Sequence, residues 1–277
     1  MGLRVNSNIA SINAQRNLQN STNNLQKSLQ RLSSGLRITS GADDAAGLAI
    51  SEGFRADIRS IGQAQRNASD GISLLQIGEG ALNEVSGLLV RQRELAIQAA
   101  NGTLGSSERT TINNEYQSLI TEIDRIAAVT QFNGTNILAS GAAIDFQIGI
   151  DNTANDRITI ASVDARSSAI GIGSSAAGGA VNTVTNARIA LANLDSAISA
   201  VASLRATFGT AQNRLESAIR SLAVAQENTT AAESRIRDVD FASETAELTR
   251  NQVLQQAGIS VLAQANVSTQ SALSLLG

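Results

Sequence analysis

The sequence predicts a mainly α protein: a long antiparallel helical bundle or coiled-coil rod, with one small β-hairpin region and with its N- and C-terminal helices paired. Three observations carry that class. Proline is absent from all 277 residues, so the strongest helix breaker never interrupts the chain. Aromatics are 2%, and the 42% hydrophobic share comes mostly from Ala, Leu, Ile and Val, which suits slim helix seams better than a thick globular core. Apolar residues recur at threes, fours and sevens over most of the chain, and at twos over one short stretch.

Residues 1–36 read as a helix with a heptad. Leu18, Leu25 and Leu32 step by seven, Leu29 and Leu36 with Thr22 form a second row, and Ile9 and Ile12 extend the stripe backwards. Residues 33–42 carry two Ser/Thr-Ser-Gly interruptions and read as a connector. Asp43-Asp44 then caps a new helix running to about residue 100, or about 87 Å at 1.5 Å per residue. Glycines 53, 62, 71, 78, 80 and 87 inside it imply close approach by a neighbouring helix. Ser106 or Ser107 opens a third helix, with Ile112, Tyr116, Leu119, Ile120, Ile123 and Ile126 on one face, ending near Thr130. Phe132-Asn133-Gly134 is a turn signal. The period changes to two at Ile144, Phe146, Ile148 and Ile150, and again at Ile158 and Ile160, which reads as one hairpin around an Asp151–Asp156 loop. Residues 165–180 are an irregular return, 181–232 a long helix, and 241–276 a last one carrying Leu248, Leu254, Ile259, Leu262, Leu273 and Leu276.

Composition removes several function classes. Histidine and cysteine are both absent, so neither a His-based nucleophile system nor a thiolate or imidazole zinc site can be built. The single lysine, Lys27, lies outside any G-x-x-x-x-G-K pattern. A net charge of −3 argues against a basic nucleic-acid surface, and no run of about 20 apolar residues suits a membrane span. The N-terminus lacks the apolar core of a secretory signal, so the expectation is export without a cleavable signal peptide, if the chain leaves the cell. Weak motifs remain. Gly171-Ile-Gly173 with Ala176 lacks the surrounding βαβ unit of a dinucleotide site. Asp151, Thr153 and Asn155 begin like a calcium loop, but Asp156 stands where that loop needs glycine. Asn20, Asn67, Asn101, Asn133, Asn228 and Asn266 each open an Asn-x-Ser/Thr triplet in a chain rich in those residues. The expectation is a protein without enzymatic activity, cofactor or metal.

What remains is two slim, polar terminal helices with narrow apolar edges. Leu18, Leu25 and Leu32 need an apolar partner, and Leu254, Leu262 and Leu273 lie in the other segment of matching character. Edges left over would pack on further copies, and head-to-tail contacts that do not close generate a helical filament.

Two long runs resemble bacterial flagellin. The first is Arg31-Leu-Ser-Ser-Gly-Leu-Arg-Ile-Thr-Ser-Gly-Ala-Asp-Asp-Ala-Ala-Gly-Leu-Ala-Ile50. The second is Asp240-Phe-Ala-Ser-Glu-Thr-Ala-Glu-Leu-Thr-Arg-Asn-Gln-Val-Leu-Gln-Gln-Ala-Gly-Ile-Ser-Val-Leu-Ala-Gln-Ala-Asn266. Asn13-Ala-Gln-Arg-Asn17 and Thr130-Gln-Phe-Asn-Gly134 fit as well. Ala42 departs from the pattern, since many members carry Lys there. The resemblance implies a subunit of the extracellular flagellar filament, with residues 1–42 and 235–277 as a terminal coiled-coil domain of the filament's inner core. Residues 43–234 would be a helical rod domain with its hairpin insert near 140–165, and the outer variable domains would be missing. Implied partners are further flagellin subunits, the flagellar export apparatus, a secretion chaperone, and the filament cap and hook-junction proteins. The alternative within the same resemblance is the hook–filament junction protein itself. Leu89-Val-Arg-Gln-Arg-Glu-Leu-Ala-Ile-Gln-Ala-Ala-Asn101 is similar to the segment sensed by the animal Toll-like receptor for flagellin, which implies a receptor or subunit contact at Arg91, Leu95 and Glu115.

Overall fold

The computed structural model describes residues 8–139, 143–160, 163–173 and 179–274, with side chains to residue 268. Five long helices dominate: α1 (Ile9–Ser34), α2 (Ala45–Ala99), α3 (Ser106–Val129), α4 (Val184–Arg237) and α5 (Phe241–Ser274). The mainly α expectation, with one small antiparallel hairpin region and packed terminal helices, holds. The chain divides into two compact units, Met1–Ile58 with Asn228–Gly277, and Arg59–Glu227. Both divisions fall inside long helices, α2 and α4, rather than at the connectors.

Local chemistry explains the helix limits in the first unit. Asn8 caps α1 by accepting the Ser11 N–H at 3.0 Å. Gly35 ends it with φ 72, its N–H donating to the Arg31 carbonyl at 2.8 Å, a left-handed cap that a side chain would strain. Asp44 caps α2 by accepting the Gly47 N–H at 2.9 Å. Its neighbour Asp43 turns back instead, accepting from the hydroxyls and backbone N–H groups of Thr39 and Ser40. Those bonds, the Thr39 hydroxyl foremost, hold the Asp43 carboxyl below the usual carboxylate range.

In the second unit the core is helical and well filled. Leu75, Leu82, Leu89 and Leu95 of α2 are buried with Tyr116 and Ile123 of α3 and with Leu194, Phe208 and Leu215 of α4. Close approach at α2 glycines is confirmed at two of the six. A Cβ on Gly78 would lie 2.6 Å from the Phe208 ring of α4, and one on Gly71 would lie 3.1 Å from Leu215 of α4 and 3.0 Å from Phe146 of the hairpin. Gly53, Gly80 and Gly87 meet nothing within 4 Å. Beyond α3, Asn133 (φ 49) and Gly134 (φ 79) make the two-residue turn between β1 (Gln131–Phe132) and β2 (Thr135–Asn136). The expected hairpin is present as β3 (Ile144–Gln147) against β4 (Arg157–Ile160), with Ile144 opposite Ile160 and Phe146 opposite Ile158. It is shorter than the alternation suggests. The N–H groups of Ile148 and Gly149 both turn onto the Asp156 carbonyl, and Ile150 is left 44% exposed in the loop. That loop holds its acid internally. Asp156 accepts from the Thr153 hydroxyl and N–H, and no metal-holding cluster exists among the described residues.

Candidate assembly interface

In the first unit α1 and α5 run antiparallel in one register. Asn8 Nδ2 donates to the Ala265 carbonyl at 3.0 Å, and Ser11 Oγ to Asn266 Oδ1 at 3.0 Å. Further along, Gln255 Nε2 donates to Thr22 Oγ1 at 3.3 Å, and Arg31 faces Glu244 at 3.6 Å. Between these ties Leu18 packs over Gly258, where an added Cβ would sit 3.4 Å from Leu18 Cδ1.

The α1 side of the seam consists of buried Ser11, Ala14 and Ser28 with half-buried Leu18, Ser21, Leu25 and Leu32. Leu18, Leu25 and Leu32 therefore do form one row. The second row differs from the expected one: Ala14, Ser21 and Ser28 occupy it, while Leu29 stands 49% exposed and Leu36 lies in the connector, past the end of α1. Small residues win that row because an antiparallel pair brings leucines of one helix over small positions of the other, as with Leu18 on Gly258. On α5 the inward positions are Glu244, Leu248, Asn251, Gln255, Gly258, Leu262 and Ala265. Leu262 is thus in the seam. Leu254 is not. It is 49% exposed and lines an open groove of about 420 Å³ with Ala14, Leu18, Ser21, Gly258 and Val261. The Leu273 side chain lies outside the described residues.

The leucines of this seam are only half-buried and its fully buried positions are Ser11, Ala14, Ser28 and Asn251, so hydrophobic burial stabilises the pair less than a seam of fully buried leucines would. Meanwhile Ile9, Ile12, Phe241, Val253, Ile259 and Val261 stay at least half exposed. Sequence reading singled out Ile259 but missed Phe241, Val253 and Val261 of α5. Their signal is that apolar side chains recur all around the helix, not along one stripe.

The two connectors of this unit are also joined. Leu36 and Asp238 form a β-bridge, and the Val239 N–H donates to the Gly35 carbonyl at 3.0 Å. Arg37 donates its N–H to the Arg237 carbonyl at 2.6 Å and its Nη2 to the Ile236 carbonyl at 2.7 Å. Arg237 in turn pairs with Glu52 at 2.8 Å. That bond and the Arg55 pair hold the Glu52 carboxyl below its ordinary range.

In the second unit Arg91 pairs with Glu115 at 2.9 Å and with Glu94 at 2.9 Å, on the surface between α2 and α3. Both carboxylates raise the guanidinium pKa, Glu115 more. Leu95 is a correction. It was expected beside them as a contact, but it is 2% exposed and belongs to the core. One helical turn from Arg91 it points inward, because α2 here is covered by α3 and α4. Beneath the ion pair Gln92 and Tyr116 are fully buried. Gln92 Nε2 reaches the Tyr116 carbonyl at 3.4 Å, and the Tyr116 hydroxyl has no partner among the described residues. Burial alone pushes that hydroxyl up to about 12.

A helical chain whose terminal helices pair through a thin seam of half-buried leucines and small or polar residues, with apolar side chains left uncovered, has the surface of a subunit that packs on neighbours. Comparison with known proteins agrees. Residues 5–143 match the bacterial flagellin N-terminal helical region, and 191–276 match the bacterial flagellin C-terminal helical region. A flagellin of Halalkalibacterium halodurans is 44% identical over 273 residues, covering 98% of this chain and 99% of the relative. A flagellin of Bacillus subtilis is 42% identical over 307 residues, covering 99% and 100%. The flagellar filament 33 kDa core protein of Treponema phagedenis is 42% identical, covering 98% and 99%. Among solved structures, Bacillus cereus flagellin aligns with a TM-score of 0.50 at 34% identity, over 57% of this chain and 88% of that one. A putative flagellar hook-associated protein of Vibrio parahaemolyticus aligns with a TM-score of 0.59, over 71% and 100%, but at 14% identity it shares the fold alone. The chain belongs to the bacterial flagellin family.

Proposed function

We infer that this chain is a structural subunit of the bacterial flagellar filament, outside the cell, and that it polymerises with other flagellin subunits. The observation that carries the reading is the match to curated flagellins along nearly the whole chain, at both helical ends together. The uncovered apolar side chains of α1 and α5 supply a physical reason for polymerisation. No catalytic group is assigned. A hook–filament junction role is not favoured, because the full-length relatives named above are flagellins and a filament core protein.

Finer assignments extend this reading. Residues 1–42 and 235–277 act as the assembling domain and 43–234 as the body. Leu18, Leu25, Leu32 and Leu262 hold the terminal helices together, while Leu29 and Leu254 face neighbouring subunits, since both stand about half exposed. Leu36 anchors the connector. Arg91 and Glu115 form an exposed patch for subunit contact and, on free monomer, for the Toll-like receptor for flagellin. Before assembly the chain passes through the flagellar export apparatus, with a secretion chaperone, and in the filament it meets the hook-junction and cap proteins. The experiment is seeded assembly viewed by negative-stain electron microscopy, with the full chain and with residues 241–277 deleted. The full chain should extend seeds and the truncated chain should not. Filaments growing from the truncated chain would remove the terminal helices as the assembly element, and a full chain that never self-polymerises would favour the junction role.

A further inference from the structure

Two of the Asn-x-Ser/Thr triplets, at Asn101 and Asn133, place glycine directly after the asparagine. Such a pair cyclises most readily, since glycine carries no Cβ to crowd its amide nitrogen. We propose that Asn101 is a site of spontaneous deamidation in the folded protein, giving aspartate and isoaspartate, and that the fold protects Asn133 from the same reaction.

The turn between α2 and α3 presents the reacting atoms. Asn101, Gly102 and Thr103 are all exposed, and Asn101 Oδ1 accepts a hydrogen bond from the Thr103 N–H at 3.2 Å. Among the described residues the Gly102 N–H has no acceptor, and a Cβ built on Gly102 would meet nothing within 4 Å. In the reaction Gly102 N gives its proton to hydroxide and attacks Asn101 Cγ. The N–Cγ bond forms, the Cγ–Nδ2 bond breaks, and Nδ2 leaves as ammonia after taking a proton from water. Negative charge passes through Oδ1 on the way. The Thr103 N–H is already aimed at that oxygen, the arrangement by which a preorganised donor lowers the barrier of an acyl transfer. Water then opens the five-membered imide. Addition at Cγ gives aspartate, and addition at the main-chain carbonyl gives isoaspartate. Water and hydroxide are the only co-reactants.

Asn133 has the same dipeptide in a different backbone. With φ 49 at Asn133 and 79 at Gly134 it forms the tight turn whose flanking residues, Phe132 and Thr135, are paired across β1 and β2. Ring closure there demands rotation about the Asn133 Cα–C bond, which unpairs both strands. At Asn101 the backbone carbonyl is held only by the Leu104 N–H at 3.4 Å and by Arg109 Nη2 at 2.9 Å.

The test is peptide mapping by mass spectrometry on the full-length monomer, aged at mildly alkaline pH in isotopically heavy water, native and in concentrated urea. In the native protein Asn101 should convert about tenfold faster than Asn133, well below the gain a donor gives in a water-excluded site. In urea the two rates should converge. Gly102→Ala should suppress conversion at Asn101 and leave Asn133 unchanged. An unreactive Asn101, an equal or faster Asn133 in the native protein, or the same rate ratio in urea as in the native state would each overturn the proposal. Because the chemistry is read on free monomer, its failure leaves the filament reading untouched.

Discussion

Truncating Leu95 to alanine separates the core from the surface of the Arg91 region. Leu95 is 2% exposed and packs in the cluster that joins α2, α3 and α4, so the change removes buried methyl groups and leaves a cavity. Such Leu→Ala changes cost about 2–5 kcal/mol. For a unit of this size that lowers the melting temperature by roughly 10 °C. Arg91→Ala is the contrasting variant. Its ion pairs with Glu115 and Glu94 are half exposed, where screening and side-chain entropy cancel most of their value. Its melting curve should therefore overlay the parent. The assay is thermal unfolding by circular dichroism on free monomer, followed by receptor reporter signalling at matched concentration. Loss of signalling in Arg91→Ala without a change in melting would mark a surface contact. A Leu95→Ala protein that melts with the parent would refute its place in the core, and with it the division of labour between these two residues.

Three further outcomes follow from named contacts. Gly258→Leu drives a side chain against Leu18, already 3.4 Å from an added Cβ, and should separate α1 from α5 at a cost of about 1–3 kcal/mol; limited proteolysis should then cut both termini faster than in the parent. The only tyrosine, Tyr116, titrates at about 12 when folded against 10.0 for the free side chain. A raised folded pKa means its stabilising contribution is complete below the unfolded value and is lost as pH climbs from 10 toward 12, so the phenolate absorbance should rise late and Tyr116→Phe should flatten that part of the alkaline stability curve. Glu52 shifts the other way. Its folded pKa lies below the ordinary 4.5, so its contribution is present above that value and fades as pH falls through the lower, folded one; Glu52→Gln should make the first unit less acid-sensitive, and an unchanged acid profile would separate Glu52 from the connector.

Much of the helical layout was legible because periodicity, caps and the lack of proline all agree. The Asp43-Asp44 signal placed the start of α2 within two residues, and Asn133-Gly134 marked the two-residue turn between β1 and β2. The hairpin partners Phe146 and Ile158 also stand where alternation put them. Two things were hidden. Leu29 is a leucine on heptad spacing and Leu254 reads as a partner for the α1 row, yet the seam uses Ala14, Ser21 and Gly258, since close antiparallel helices select against bulk on alternate rows. Leu95 sits one turn from Arg91, and spacing along a single helix cannot report that two other helices cover one of those positions and not the other.

The bridge between Leu36 and Asp238 makes a closed ring of everything the chain does between them. The start and finish of that ring are fixed to each other by backbone hydrogen bonds, so the distance between α1's exit and α5's entrance does not depend on how much polypeptide intervenes. Closure entropy grows only with the logarithm of loop length, and doubling the enclosed stretch would add about 0.6 kcal/mol. A longer or shorter middle would therefore change the closure cost of this ring only slightly and leave the register of the two connectors in place.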